Sequence, residues 1–425
     1  MHGEGAEVFV EGVCCEGLLA LCSARGYVFG QGGRLGGAGR RWEVGGRSAR
    51  RYIGCELGGG KGGGFGMFKG CGVGWYGLLC SATAARERDG VGAWTDIRYL
   101  SSYRLSDQDS QCIFASEILP AEFDHLPSHH GPQTSPPLAV LAVGQTGSGK
   151  TRLSPAILSA FHLVRGAPAT GPVHLIADTY KTYHPEYTRL MLSTPNLASP
   201  ATGPDARKWL AMASEEVVRR KLDVLLESAC RHPDDFVQLA RVFSTAGYRV
   251  EVVLLAVPAA LSRLGILVRF YEKLPEGQSR NLPVRLTPTK VHDDSYAGLL
   301  DAARFLDETS TADQVLVVRR GNLVAYGTTK SANGNMVNRR GVEEALKRER
   351  ERPLTAQEMK TALDDVQKMS THEDASEQVE HIRGMLKPLI EDSSQDGWPE
   401  LKPLTFGKVN EEAGGTYNVL RLGQL

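Results

Sequence analysis

Residues 138–151 read LAVLAVGQTGSGKT, and their order decides the fold. Leu138 to Val143 is a short apolar run with no polar alternation, the pattern of a strand covered on both faces. Gly144 to Thr151 then fits G-x-x-x-x-G-K-[ST], and Lys150 to Phe161 reads as a helix. A strand, a glycine loop and a helix in this order form a phosphate cradle. The glycines let successive backbone N–H groups turn inward around anionic oxygens. The helix behind them presents its N-terminus to the same charge. The pattern assigns Gly144, Gln145, Thr146, Gly147, Ser148, Gly149, Lys150 and Thr151 to ATP, with Lys150 on the β- and γ-phosphates and the Thr151 hydroxyl on Mg²⁺. Pro155 falls early in the helix, where it disrupts less than in the interior.

Outward from this loop, strands and helices alternate. Val173–Ala177, Leu222–Leu226, Arg249–Val257 and Val315–Val318 read as strands. Helical patterns separate them: one opens at Asp205 with Ala206, Trp209, Leu210, Ala213 and Val217 on one face, and others span Phe236–Thr245 and about 260–273 and 288–306. Strands separated by helices pair in parallel. The expected fold is α/β: a P-loop NTPase/kinase-like parallel sheet flanked by helices. A further helix is expected within 101–125, before a Pro/His/Ser-rich connector over Leu126–Pro137.

The ends differ from the middle. More than half of the 48 glycines lie in the first 95 residues. Such a stretch has a high ordering entropy and few apolar side chains to offset it, so residues 1–95 are expected to be disordered, with a start-site extension as one explanation. Residues 96–330 are the expected catalytic domain and 331–425 a helical extension. Within the extension, Thr355 to Glu358 is a capping-box pattern, and Glu377 to Ile390 reads as a second, highly charged helix. Both are expected to be solvated or loosely docked, and neither is assigned any chemistry.

Composition removes several function classes. With 49 basic and 49 acidic residues the chain has no net charge, which argues against a nucleic-acid binder. No apolar run approaches the ~20 residues of a membrane helix. No secretory signal is read at the N-terminus, so a cytoplasmic protein is expected. The eight cysteines form no paired C-x-x-C units, and they are read as structural or incidental.

The phosphate loop does not say what is done with the nucleotide. The strand after it ends at Ala177-Asp178. A carboxylate there lies beside the phosphates, at the end of a parallel sheet where sites gather, and could take a proton from an attacking hydroxyl. An N-cap role for Asp178 stays open on this ground, as does a nucleotide-gated binding module without turnover.

Further stretches tie the chain to a known family. They are ADTYKTYHPEY at 177–187, LLES at 225–228, AGYRVEVVLLAVP at 246–258, VRFYE at 268–272 and VRLTPTKVHD at 284–293. In order and spacing, residues 97–330 resemble the zeta toxin family of P-loop kinases, with a weaker echo near 347–369. The resemblance implies an ATP-dependent kinase acting on a sugar nucleotide, the 3′-hydroxyl of UDP-N-acetylglucosamine, held inactive by a separate antitoxin protein. It makes Asp178 the general base, with Lys150 also catalytic. Glu227 becomes a substrate contact, joined by Asp178 and Arg231. Arg269 and Arg285 close on the transferring phosphoryl group, with Arg280 as a nearby alternative. His184-Pro185 shapes the loop after Asp178. The chain departs from the family at Ser228-Ala229-Cys230, where Gly-Thr-Gly is common before the arginine, and this places the acceptor in question more than the ATP side. A kinase for another small hydroxyl compound is the second enzyme reading.

Overall fold

The computed structural model describes residues 97–126, 136–165, 171–279, 284–330, 336–337, 341–391, 394–408 and 417–424, and the backbone of four strands nearer the N-terminus. Those strands, Glu7–Phe9, Val28–Gln31, Gly39–Gly46 and Ala49–Glu56, form a small sheet within a separate unit, Met1–Asp89. The rest of the glycine-rich segment, with the expectation of disorder placed on it, lies outside the described residues. So does Arg280.

The second unit, Gly90–Leu425, is built on an eight-stranded sheet. Its strands are β1 (Leu138–Val143), β2 (Val173–Ile176), β3 (Val224–Ser228), β4 (Arg249–Leu255), β5 (Gln314–Arg319), β6 (Leu323–Lys330), β7 (Met336–Val337) and β8 (Lys402–Pro403). The order is β7-β6-β5-β4-β1-β3-β2, with β8 beside β6. From β2 to β5 every pair is parallel, and β6 adds an antiparallel edge to β5. The phosphate loop therefore leaves the sheet from a central strand.

Alternation along β1 divides the core. Ala139, Leu141 and Val143 pack on one face with Trp209, Phe236, Phe243 and Leu299. Leu138, Val140 and Ala142 pack on the other with Leu153, Ile157, Leu261 and Leu264. The first face is covered by helices α2 (Pro195–Arg220), α3 (Pro233–Thr245), α5 (Thr289–Glu308) and α6 (Val342–Glu351). The second is covered by α1 (Lys150–Val164), α4 (Ala259–Ser279), α7 (Ala356–Met369) and α8 (Ser376–Glu391).

Three differences from the sequence reading have physical causes. First, α2 begins ten residues earlier than Asp205, at Pro195, with Pro200 and Pro204 inside it. The two prolines hide the helical pattern, and buried Leu197, Ala198 and Ala201 hold the early turns. Second, β6 is an added strand. Its signal is the turn between two apolar runs, where Gly321 and Asn322 take φ of 76° and 58°, the left-handed values such hairpins favour. Third, the C-terminal helices are not loosely docked. Val366, Met369, Val379, Ile382 and Leu386 are buried in the same core as β1. Arg319, fully buried at the end of β5, donates to Glu358 of α7 at 2.8 Å and to the Glu349 carbonyl of α6. The capping box is present as read: Glu358 N–H donates to Thr355 Oγ1, and Thr355 N–H to the Glu358 carboxylate.

Candidate active site

The parallel strands end together, and a cleft of about 930 Å³ opens over those ends. The loop after β1 forms its centre. Gly147 and Gly149 have φ of 80° and 101°, and a Cβ on Gly147 would lie 2.1 Å from the Ser262 carbonyl of α4. Only glycine fits there. Gln145 is fully buried and donates to the Val257 carbonyl at 2.6 Å, so its side chain fastens the loop to the β4–α4 connection. The Thr146 N–H is taken by Ser295 Oγ of α5. Ser148 Oγ is buried without a hydrogen-bond partner, close against Gly144. Gly144 and Gln145 do not line the cleft, whereas the other residues assigned from the sequence do.

Lys150 opens α1 and donates to the carbonyls of Gly144 and Gln145. Burial pushes its ammonium down to about 8, against the opposing fields of Glu227 and Asp178. Glu227 lies on β3, beside β1 in register with Ala142. Burial pushes its carboxyl up, but hydrogen bonds with His174 (3.0 Å) and Ser154 Oγ (2.6 Å) and the charge of Lys150 hold it below its usual range. This network was not visible in the sequence, because His174 and Ser154 come from β2 and α1.

Asp178 sits on a helical turn, Ala177–Tyr180, immediately after β2. Its carboxylate is ion-paired to Lys181 at 2.5 Å, and Lys181 also donates to Ser199 Oγ at 3.0 Å. Enclosure by the cleft walls pushes the Asp178 carboxyl up, while Lys181, Arg285 and Lys150 outweigh this and hold it low. The side chain is nonetheless 82 % exposed, so this pair is screened by water and easily displaced. His184 is buried, contacts the Tyr103 carbonyl at 3.1 Å and accepts from the Glu186 N–H, which fixes the loop after Asp178.

Arg269 on α4 and Arg285 before α5 line the same cleft. Arg285 is half-buried, and burial lowers its pKa against the attraction of Asp178. Arg231 is partly exposed, 3.6 Å from Asp294. Arg320, which sequence reading passed over, donates to the carbonyls of Gly147 and Leu261, both at 2.8 Å. Cys230 has φ of 50°, so the backbone of the Ser228–Cys230 turn keeps a glycine-like conformation although the side chain differs. Its thiol is buried and pushed up to about 12, a neutral packing group. Among the described residues no three acidic, histidine or cysteine groups converge as a self-sufficient metal site. Thr151, the second residue of α1, is exposed and lines the cleft. No helix among the described residues is long and apolar enough to cross a membrane.

Comparison with known proteins gives a consistent result. Residues 124–331 match the family model described as zeta toxin. Toxin zeta of Enterococcus hirae is 23% identical over 231 residues, covering 54% of this chain and 75% of that protein. Toxin zeta of Streptococcus pyogenes is 22% identical over 244 residues, covering 57% and 79%. Among solved structures, a chain from the PezAT chromosomal toxin-antitoxin system of Streptococcus pneumoniae is similar with a TM-score of 0.49 and 18% identity, covering 63% of this chain and 97% of that one. A chain of AvrRxo1-ORF1:-ORF2 with ATP has a TM-score of 0.39 and 13% identity, covering 72% and 92%. Through residues 124–331, the protein is similar to the zeta toxin family, and this similarity supports a P-loop kinase-like protein.

Proposed function

We propose that this protein is an ATP-dependent phosphotransferase whose acceptor is a sugar-nucleotide hydroxyl, with the 3′-OH of UDP-N-acetylglucosamine as the specific candidate. One observation carries the reading: Asp178 lies at the end of β2 in the cleft that also holds Lys150, Thr151, Arg269 and Arg285. A base, a phosphate cradle and two guanidinium groups around one space are what phosphoryl transfer asks for. Relatives named toxin zeta and the family resemblance favour the sugar nucleotide, and the glycine-like backbone at Cys230 is consistent with a kept acceptor loop.

In this reading Asp178 accepts the proton of the acceptor hydroxyl. The acceptor oxygen bonds to the γ-phosphorus as the bond to the β–γ bridging oxygen breaks, and ADP leaves. Lys150 and the loop N–H groups hold the β- and γ-phosphates. Arg269 and Arg285 neutralise charge on the equatorial oxygens, where planar guanidinium forks match better than ammonium groups. Mg²⁺, with Thr151 as a ligand, would supply further charge neutralisation. Lys181 holds one oxygen of the Asp178 carboxylate, and the other is open to the acceptor hydroxyl. A separate antitoxin-like protein that blocks this cleft is part of the proposal.

The test is incubation of the full chain with Mg-ATP and UDP-N-acetylglucosamine, with products read by mass spectrometry and Lys150→Ala as control. A phosphorylated sugar nucleotide that disappears with the variant is the expected result. ATP hydrolysis without sugar product would move the acceptor elsewhere, with Glu227 to Arg231 as the place to look. ATP binding with neither product would replace the kinase by a binding module.

A further inference from the structure

The cleft extends to both sides of the phosphate loop. Asp178 follows β2, and β2 is separated from β1 by β3. Arg320, Gly321 and Asn322 follow β5, and β5 is separated from β1 by β4. With strands about 4.8 Å apart, the ends of β2 and β5 stand roughly 10 Å to either side of the end of β1, from which the loop leaves, and Arg320 reaches back to the loop's Gly147 carbonyl. A nucleotide whose γ-phosphate faces Asp178 must run its nucleoside the other way, over β4 and β5.

That side of the cleft has a wall to which one C-terminal helix, α7, contributes. Gly265 and Val268 of α4, the β5–β6 turn, and Thr361 and Asp365 of α7 line it. Gly265 lets the wall close: a Cβ there would lie 2.7 Å from Arg320 Nη2 and 3.0 Å from the Gly147 carbonyl. Helix α7 is fixed in place by the buried Arg319–Glu358 pair at one end and by Lys368 on Glu272 of α4, at 2.7 Å, near the other. Burial raises the Asp365 carboxyl, helped by the Glu272 charge and opposed by Arg320, Lys368 and Arg152. Both Thr361 and Asp365 fall outside residues 124–331, the span the family model matches.

We propose that α7 forms the nucleoside-binding wall of this cleft, with Asp365 accepting hydrogen bonds from the nucleotide's ribose hydroxyls or base N–H groups and Thr361 bounding the slot. The inference rests on the nucleotide-binding part of the reading above and not on the acceptor. It gives the C-terminal extension a direct part in binding. A carboxylate on the slot wall accepts from donors only, so it selects for a nucleoside over bare phosphate.

The experiment is calorimetric titration of the full chain with Mg-ATP and, separately, with Mg-tripolyphosphate, which has the phosphates and no nucleoside. Asp365→Asn is expected to weaken ATP about tenfold, the loss of one charge-assisted hydrogen bond, and to leave tripolyphosphate within about twofold. Thr361→Trp, which fills the slot, is expected to do the same. A 2′,3′-dideoxy ATP separates the two donor sources. If the ribose is the partner, Asp365→Asn has no further effect on the dideoxy compound; if the base is, the tenfold loss persists. ATP binding unchanged in both variants, or equal losses of ATP and tripolyphosphate in both, overturns the proposal. A wild-type chain that binds neither ligand overturns instead the nucleotide reading on which it stands.

Discussion

The two sides of the cleft are built by different means. On the β2 side, the proposed acceptor side, polar and charged side chains hold one another: Lys181 on Asp178, His174 and Ser154 on Glu227, Arg231 near Asp294. On the β5 side, Arg320 binds backbone carbonyls of the loop and α4, and distant helices close the wall. The first arrangement sets which protonation states are available. The second sets where the phosphates and what hangs from them can lie. Chemistry and position are thereby separable, and substitutions on the two sides should be distinguishable by what they change.

The comparison breaks if acceptor-side changes alter ATP affinity as much as turnover. Arg285→Ala and Arg269→Ala are each expected to lower kcat by roughly 10³-fold or more, with ATP affinity kept, read by steady-state kinetics against calorimetry. Asp178→Asn should lower kcat by about 10²- to 10⁴-fold, again with ATP binding intact. Ile382→Ala, in the core under α8, should cost about 2–5 kcal/mol in denaturant unfolding, which a loosely docked tail would not show.

Two pH measurements sharpen it further. Lys150 is held down to about 8 by burial, so the free protein carries that charge below pH 8 and loses it above. ATP affinity should therefore fall as pH rises through about 8, whereas an unburied lysine would keep it to about 10.4. Invariant affinity across that range would show that Lys150 is not the group meeting the phosphates. Lys181 keeps the Asp178 carboxyl low, so Lys181→Met should move the acid limb of kcat/KM to higher pH, with a smaller change in rate than loss of Asp178 itself. An unmoved limb would detach Lys181 from the base.

What could be read beforehand follows the same division. The strand-loop-helix order at 138–151 and the parallel strands around it were legible because buried runs, glycine turns and helical periodicity are local signals. Asp178 was legible from its place after β2. Glu227 was legible as a residue but not in its company, since its partners come from β2 and α1. Arg320 and Asp365 carried no signal at all: a basic residue at a turn and an acidic residue on a charged helix look like surface. Only packing brings them to the loop. The C-terminal helices read as solvated because each buries a narrow stripe, Val366 and Met369 on one, Val379, Ile382 and Leu386 on the other.

Arg319 has a consequence for how the molecule comes into being on the ribosome. Its guanidinium is fully buried, and the carboxylates that neutralise it, Glu349 at 3.7 Å and Glu358 at 2.8 Å, lie 30 and 39 residues later in the chain. A nascent chain that has emerged only as far as the end of β6 holds the phosphate loop, Asp178 and both cleft arginines, but has no counter-charge for Arg319. Burying that cation alone would cost several kcal/mol, so the end of β5, and with it the turn that carries Arg320, settles only once α6 and α7 have been made. The β5–β6 end of the cleft is thus completed only in the last quarter of synthesis.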